Sequence, residues 1–305
     1  MTSPKETVGD TSGGPIRLLS FDLEEYFQVE AAAAKVAPGQ WDAFARRLPA
    51  AVDRILELLE SRGSSATFFV LGWVAQRQPE LIRRIAGAGH EIASHGMGHA
   101  MVGRLTAEEF RQDLLASRGL LEDLTGRPVA GYRAPTFSIT HQTAWALDVL
   151  AEAGFAYDSS IFPIRHDRYG VPDAPRFAHL ATGPGGGQLL ELPPLTMRAM
   201  GVNLPAGGGG YFRLLPLAVT RAAIGRAVRL GRPAMIYLHP WELDPLQPEL
   251  PMSGLNRFRH RLGLARTESK LRSLLERCAF TSVARRLAEI RAGAMEVFRY
   301  GRGDR

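Results

Sequence analysis

The sequence predicts an α/β protein built on a parallel sheet or barrel, on three observations. Short apolar runs alternate with amphipathic stretches, the amphipathic stretches carry helix start and stop signals, and ionisable residues follow strand after strand at the same end. Residues 16–21 read as the first strand, and 41–61 as a helix that Gly63 can terminate. A strand at 66–71 leads to a helix at 79–88, where Pro79 suits an opening position. After a strand at 90–94, Thr106 and Glu109 form a capping box for a helix ending near Gly126. Residues 129–132 form a strand, 140–153 a helix closed by Gly154, and 155–157 a short strand. A helix at 216–230 precedes a buried strand at 234–238. Between 162 and 211 the rhythm breaks into a loop-rich insertion dense in Pro and Gly, including 185–187 and 207–210. The run at 207–210 lacks the Lys-Ser/Thr of a phosphate loop and reads as a mobile lip over a groove. Residues 1–15 read as a disordered tail and 16–305 as one domain, with core motifs in 16–160 and 234–241.

The 305 residues are 45% hydrophobic and 22% charged, and no run reaches the roughly 18 apolar residues of a membrane span. Membrane-spanning and disordered classes are excluded. A single cysteine, Cys278, excludes a disulfide framework and a multi-cysteine zinc site, so any metal falls to His, Asp or Glu. Residues 1–15 lack the pattern of a secretory signal, which predicts cytoplasmic residence, with a peripheral position at the inner membrane in view. Of the net charge of +6, residues 257–305 carry +8, from 13 Lys and Arg against 5 Asp and Glu. Leu271, Leu274, Leu275 and Cys278 run through that basic extension at helical spacing, which predicts an ordinary helix with an arginine-rich wet face. No nucleic-acid partner is expected.

Five strand ends carry ionisable groups: Asp22, Glu24 and Glu25 after the first, then His95 with His99, Arg133, Asp158 and His239. In a parallel barrel these ends share one face, so residues 200 apart in sequence can converge. His95 and His99 can share a metal, and two imidazoles plus one carboxylate leave an open position for water. Gly96 and Gly98 disfavour the helix that a metalloprotease motif requires. Period-two alternation places Asp22 and Glu24 on one face, so one can bind the metal while the other takes a proton from its water. Glu25 competes with Glu24 if the strand bulges.

The segments SFDLEEYFQV, SHGMGH, GYRAPTFSI, YDSSIFP and YLHPWE, in that order over residues 16–241, resemble the NodB-type polysaccharide deacetylases, the fourth carbohydrate esterase family. Their wording is similar to the subgroup associated with exosortase/PEP-CTERM exopolysaccharide loci. The resemblance implies a distorted (β/α)7 barrel holding a divalent metal, usually Zn2+, that removes N-acetyl groups from the amino sugars of a polysaccharide or oligosaccharide. It implies Asp22 as general base, Glu24, His95 and His99 as ligands, Arg133 as partner of the base, His239 as general acid and Asp158 as the acid orienting that histidine. After Arg133-Ala134-Pro135 many relatives have an aromatic residue whose backbone N–H contributes to the oxyanion hole, where this sequence has Thr136 and then Phe137. Pro135, Thr136 and Phe137 are thus substrate-binding candidates, and Phe137, Tyr211 and Trp241 are candidates to stack on sugars. Two other functions fit the same residues: hydrolysis of a small amide or imide, and non-catalytic polysaccharide binding in contact with inner-membrane export machinery.

Overall fold

The computed structural model describes residues 13–166 and 168–301, so residues 1–12 of the expected tail lie outside the described residues. The strands are β1 (Arg17–Leu23), β2 (Thr67–Val70), β3 (Glu91–Ser94), β4 (Gly131–Tyr132), β5 (Tyr157–Asp158), β6 (His179–Thr182), β7 (Gln188–Glu191), β8 (Thr196–Ala199), β9 (Val202–Pro205), β10 (Ala234–Leu238) and β11 (Val297–Arg299). Among the described residues, nine form one sheet in the order β10-β1-β2-β3-β4-β5-β7-β6-β11, and β8 pairs with β9 in a separate hairpin. The seven strands from β10 through β7 are mutually parallel. Among the described residues no ladder closes this ring. The gap between β7 and β10 is spanned by backbone hydrogen bonds, Leu195 N to Met235 O at 2.9 Å and Tyr237 N to Gly207 O at 2.7 Å. The result is the expected distorted seven-stranded barrel, left partly open.

Residues 162–211 are more ordered than their Pro and Gly content predicts. β7 lies in this segment and is the last of the seven parallel strands, beside β5. It is reached through an antiparallel turn from β6, where Asp148 accepts from Gly185 N and Gly187 N, both at 2.8 Å. Strands of four residues bounded by glycines show too little periodicity to read. The run at 207–210 is not a lip. It is largely buried, and a Cβ on Gly208 would lie 1.9 Å from the Tyr237 carbonyl oxygen, so glycine serves close backbone approach.

Helices pack around the ring. Leu48–Glu60 buries Val52, Ile55 and Leu59, and starts later than expected because Pro49 suits only a first turn, leaving Trp41 in a 3-10 turn at Pro38–Ala43. Ala107–Thr125 has the expected capping box, and Gly126 ends it at φ 64°. The helix expected from 140 begins at Trp145, because Thr143 Oγ1 accepts from Thr140 N and donates to the Ser138 carbonyl, holding a turn there. In the basic extension, Leu264–Leu275 buries Leu271, Leu274 and Leu275 while Arg266 and Arg272 face solvent, as the helical spacing predicts.

Candidate active site

The parallel register brings the predicted residues to one edge. Phe21 of β1 pairs with Phe68 of β2 and Leu238 of β10, and the Phe21 and Phe68 rings stack at 5.1 Å. Asp22 and His239 therefore leave adjacent strands at the same level. They line a cleft of about 650 Å3 with Glu24, His95, His99, Thr136, Phe137, Tyr211 and Trp241.

Asp22 is buried beside Arg133, which is fully buried. The guanidinium donates to Asp22 Oδ1 at 2.5 Å, to Ser20 Oγ at 3.0 Å and to the Ser159 carbonyl and hydroxyl at 3.1 and 2.8 Å, and it lies 4.0 Å from the Phe69 ring centroid. Removing one partner of such a buried pair typically costs about 3–5 kcal/mol, because the other charge is stranded. The second oxygen, Oδ2, faces His239 Nε2 at 3.8 Å.

Glu24, His95 and His99 each present one ligand atom, and the three atoms lie within 4.8 Å of one another. Glu24 Oε2 is 2.5 Å from His99 Nε2 and 4.0 Å from His95 Nε2, yet it is buried with no properly aligned hydrogen bond. A buried carboxylate oxygen facing two imidazoles, with the three ligand atoms this close together, fits a shared cation. His95 Nδ1 lies 2.8 Å from the Arg133 carbonyl, which fixes the proton on Nδ1 and leaves the Nε2 lone pair free to ligate. Burial pushes the His95 imidazole down to about 4, so it is neutral as a ligand must be. Burial alone would raise the Glu24 carboxyl, but His99, with His239 and His95, holds it well below the usual carboxylate range. Asp113 fastens the loop between the two histidines, accepting from Met97 N at 3.0 and 3.1 Å, and His99 sits at φ 55°. Left-handed backbone at a non-glycine residue costs about 1–3 kcal/mol and is typical of sites that need a fixed side-chain direction.

Glu25, the competitor, points elsewhere. Its carboxylate accepts from Arg47 N at 3.0 Å, Leu48 N at 3.3 Å and Gln78 Nε2 at 3.3 Å, satisfying free donors at the start of Leu48–Glu60. Glu25→Ala is expected to lower stability by about 1–3 kcal/mol through these unpaired donors and to leave metal content unchanged. Urea unfolding and elemental analysis of the same preparation check both halves.

The carboxylate against His239 is Glu242, not Asp158. Glu242 Oε2 lies 3.0 Å from His239 Nδ1 and accepts from His239 N at 2.9 Å, while Oε1 accepts from Arg213 Nε at 2.7 Å. Arg213 donates in turn to the carbonyls of His260 and Leu262. Burial would lower the His239 imidazole, but Glu242, Glu24 and Asp22 raise it to about 9. Asp158 sits opposite Glu191 in the β5–β7 register, and burial pushes both carboxyls upward, Glu191 further. Ser160 Oγ donates to Asp158 Oδ1 at 2.5 Å and accepts from Ala134 N at 2.7 Å, so Asp158 braces the loop after Arg133. Glu242 was legible in principle: His-Pro-Trp-Glu places an acid three residues after the histidine, the spacing of a capping box.

The sugar-contacting set also needs correction. Trp241 lines the cleft but is buried and stacks on His239 at 5.1 Å and His260 at 4.6 Å, both nearly parallel, so its ring is engaged in packing. Its Nε1 donates to Glu24 Oε1 at 3.2 Å, aiming Oε2 at the histidines. Pro135 is buried and is not among the cleft-lining residues, and Phe137 lines the cleft while packed among Phe162, Tyr169 and Tyr237. Thr136 and Phe137 hold consecutive left-handed backbones, φ 58° and 50°. Tyr211 is half-buried on the cleft wall.

A family model described as polysaccharide deacetylase matches residues 39–157, and a domain of unknown function, DUF3473, matches 159–288. A chitooligosaccharide deacetylase from Bradyrhizobium sp. is 30% identical over 53% of this chain and 81% of its own. A peptidoglycan deacetylase from Helicobacter pylori is 34% identical over 36% of each chain, and one from Bacillus cereus 31% identical over 31% of this chain and 35% of its own. The chain thus spans about a third of the length of those two relatives. The fold matches the crystal structure of a candidate polysaccharide deacetylase from Mycobacterium smegmatis, with a TM-score of 0.65, 22% identity and 96% of each chain covered. The chain is a member of the NodB-type polysaccharide deacetylase family, the fourth carbohydrate esterase family.

Proposed function

We propose that the protein hydrolyses the N-acetyl group of an N-acetylated amino sugar within a polysaccharide or oligosaccharide. One observation carries the reading: Asp22 and His239 face each other at 3.8 Å beside the Glu24, His95 and His99 cluster. A proton acceptor, a proton donor and a candidate cation site thus meet in one cleft. Glu24, His95 and His99 would hold a divalent cation, zinc foremost, which when bound supplies Lewis acidity toward water and a carbonyl oxygen.

The remaining work falls to the chain. Asp22 Oδ2, the oxygen not taken by Arg133, accepts a proton from the attacking water as its oxygen bonds to the acetyl carbon. Arg133 compensates the charge on Asp22 and fixes its rotamer. The Thr136 backbone amide is suited to stabilise the negative oxygen that develops on the carbonyl, and Asp158 supports it through Ser160 and Ala134. As the C–N bond breaks, His239 Nε2 gives a proton to the leaving nitrogen, yielding acetate and a free amine. Tyr211 offers an apolar surface to a sugar ring. The five motif segments favour an exopolysaccharide or its precursor as the substrate. Mass spectrometry of N-acetylglucosamine oligomers after incubation with zinc-loaded protein tests the reading. Loss of acetyl groups with retention of chain length is expected, whereas shortened chains or unchanged oligomers would count against it.

Glu242 acts through His239 and is a positioning residue. Glu242→Gln should reduce kcat by about 10- to 100-fold with KM little changed, since a misoriented donor weakens a contribution of about 10²–10⁴-fold. The donor must be protonated to act, and Glu242 helps raise its affinity for the proton. Without that charge the alkaline limb of the kcat profile should move to lower pH. An unmoved limb would leave Glu242 a purely structural role.

A further inference from the structure

The short helix Gly254–Arg261 beside the cleft mouth carries large apolar side chains into solvent. Leu255 is 59% exposed and Phe258 61%, and Leu262 at the helix end is 36% exposed. Steps of three and four residues set them on one face. Arg213 donates to the His260 and Leu262 carbonyls at 2.6 and 2.8 Å, which seats the neighbouring Leu214, itself exposed, against this helix. Gln247 meets His260 Nε2 at 2.9 Å and accepts from Arg261 at 3.2 Å, which seats exposed Leu246 there too. Leu214, Asn256, Arg259 and His260 line the cleft, so the patch borders its opening. Isolated exposed leucines are ordinary, but Leu255, Phe258 and Leu262 on one face of a short element, with exposed Leu214 and Leu246 on segments hydrogen-bonded to it, mark a contact surface.

The charge around the patch selects the partner. Residues 246–270 hold Arg257, Arg259, Arg261, Arg266 and Lys270 against Glu249 and Glu268, a net charge of +3, and the helix itself contains no acid. Arg257 pairs with Glu249 at 3.4 Å, and Lys270 is spent on the carbonyls of residues 212, 213 and 215. A second copy presenting the same face would set +3 against +3, which disfavours a symmetric dimer. An apolar crest with an arginine collar is the arrangement of helices that lie in the interface of a bilayer with anionic headgroups. We propose that this face docks on an anionic lipid surface, with Leu255, Phe258 and Leu262 entering the acyl boundary and the cleft mouth turned toward the membrane. Among the described residues no helix is long and apolar enough to cross a membrane, so the contact is peripheral. It stands independently of the activity proposed above.

Sedimentation with vesicles tests it, using phosphatidylcholine alone against an equimolar mixture with phosphatidylglycerol. The full chain should bind the mixture, and phosphatidylcholine at least about tenfold more weakly. A Leu255→Ser, Phe258→Ser double variant should lose about tenfold or more on the mixture, since it removes two of the apolar side chains that would enter the acyl boundary. Neither residue lines the cleft, so hydrolysis of soluble oligomers should be unaffected, which separates lost docking from lost folding. Failure of the full chain to bind the mixture, equal binding of the double variant, or equal binding to neutral vesicles would overturn the proposal. So would a lipid-free dimer that the double variant abolishes.

Discussion

Asp22→Asn should reduce kcat for acetate release by about 10²–10⁴-fold while the protein keeps its metal and its fold. The amide is the same size as the carboxylate and can still meet Arg133 through its oxygen. It has no capacity to take a proton from water at neutral pH. The neutral side chain leaves the buried Arg133 guanidinium without its counter-charge, although Ser20 Oγ and Ser159 still accept from it. A stability loss should therefore accompany the substitution, smaller than the about 3–5 kcal/mol of removing the partner outright. Acetate assay, elemental analysis and denaturant unfolding on one preparation separate these effects. A variant that retains more than about a tenth of wild-type kcat would remove Asp22 from the role of base.

The second large effect belongs to the cation site. Glu24→Ala should weaken zinc binding by more than about 100-fold, because it removes the carboxylate that, among the described residues, groups with His95 and His99 as a candidate ligand. It also removes the acceptor of Trp241 Nε1, so the His239–Trp241–His260 stack should loosen and tryptophan fluorescence should change. Competition against a chromogenic chelator reads the affinity directly. If Glu25→Ala rather than Glu24→Ala releases the metal, the two acids exchange roles and the buried contacts of Glu25 with Arg47 and Leu48 need another explanation.

Much of this centre was legible because it sits where sequence patterns are strongest. β1, β3 and β10 are largely apolar runs with ionisable residues at or just beyond their ends, and parallel pairing brings Asp22, His95 and His239 to one edge. The misread positions depend on contacts that periodicity does not encode. Asp158 and His239 each follow a strand, but which acid meets the histidine is decided by the local turn that returns Glu242 onto Nδ1. Trp241 resembled a sugar platform because an aromatic residue near a site suggests one, whereas it is buried and stacked on two histidines, one of them 19 residues further on in the basic extension. β7 was hidden by the glycines that flank it. The cleft also joins both matched regions: His95, His99 and Arg133 fall within 39–157, while Arg213, His239, Trp241 and Glu242 fall within 159–288. The matched region 159–288 thereby contributes the histidine facing Asp22 together with Glu242 against its Nδ1 and Arg213 behind that carboxylate.

The most direct test is a metal titration of acetate release from N-acetylglucosamine oligomers by protein first stripped with a chelator. Activity should be absent without metal, rise linearly with added zinc, and saturate at one ion per chain. Acetate release that survives stripping, or saturation at one ion with no release from this or a related N-acetylated polymer, would contradict a single metal-assisted deacetylation centre at Asp22, Glu24, His95, His99 and His239.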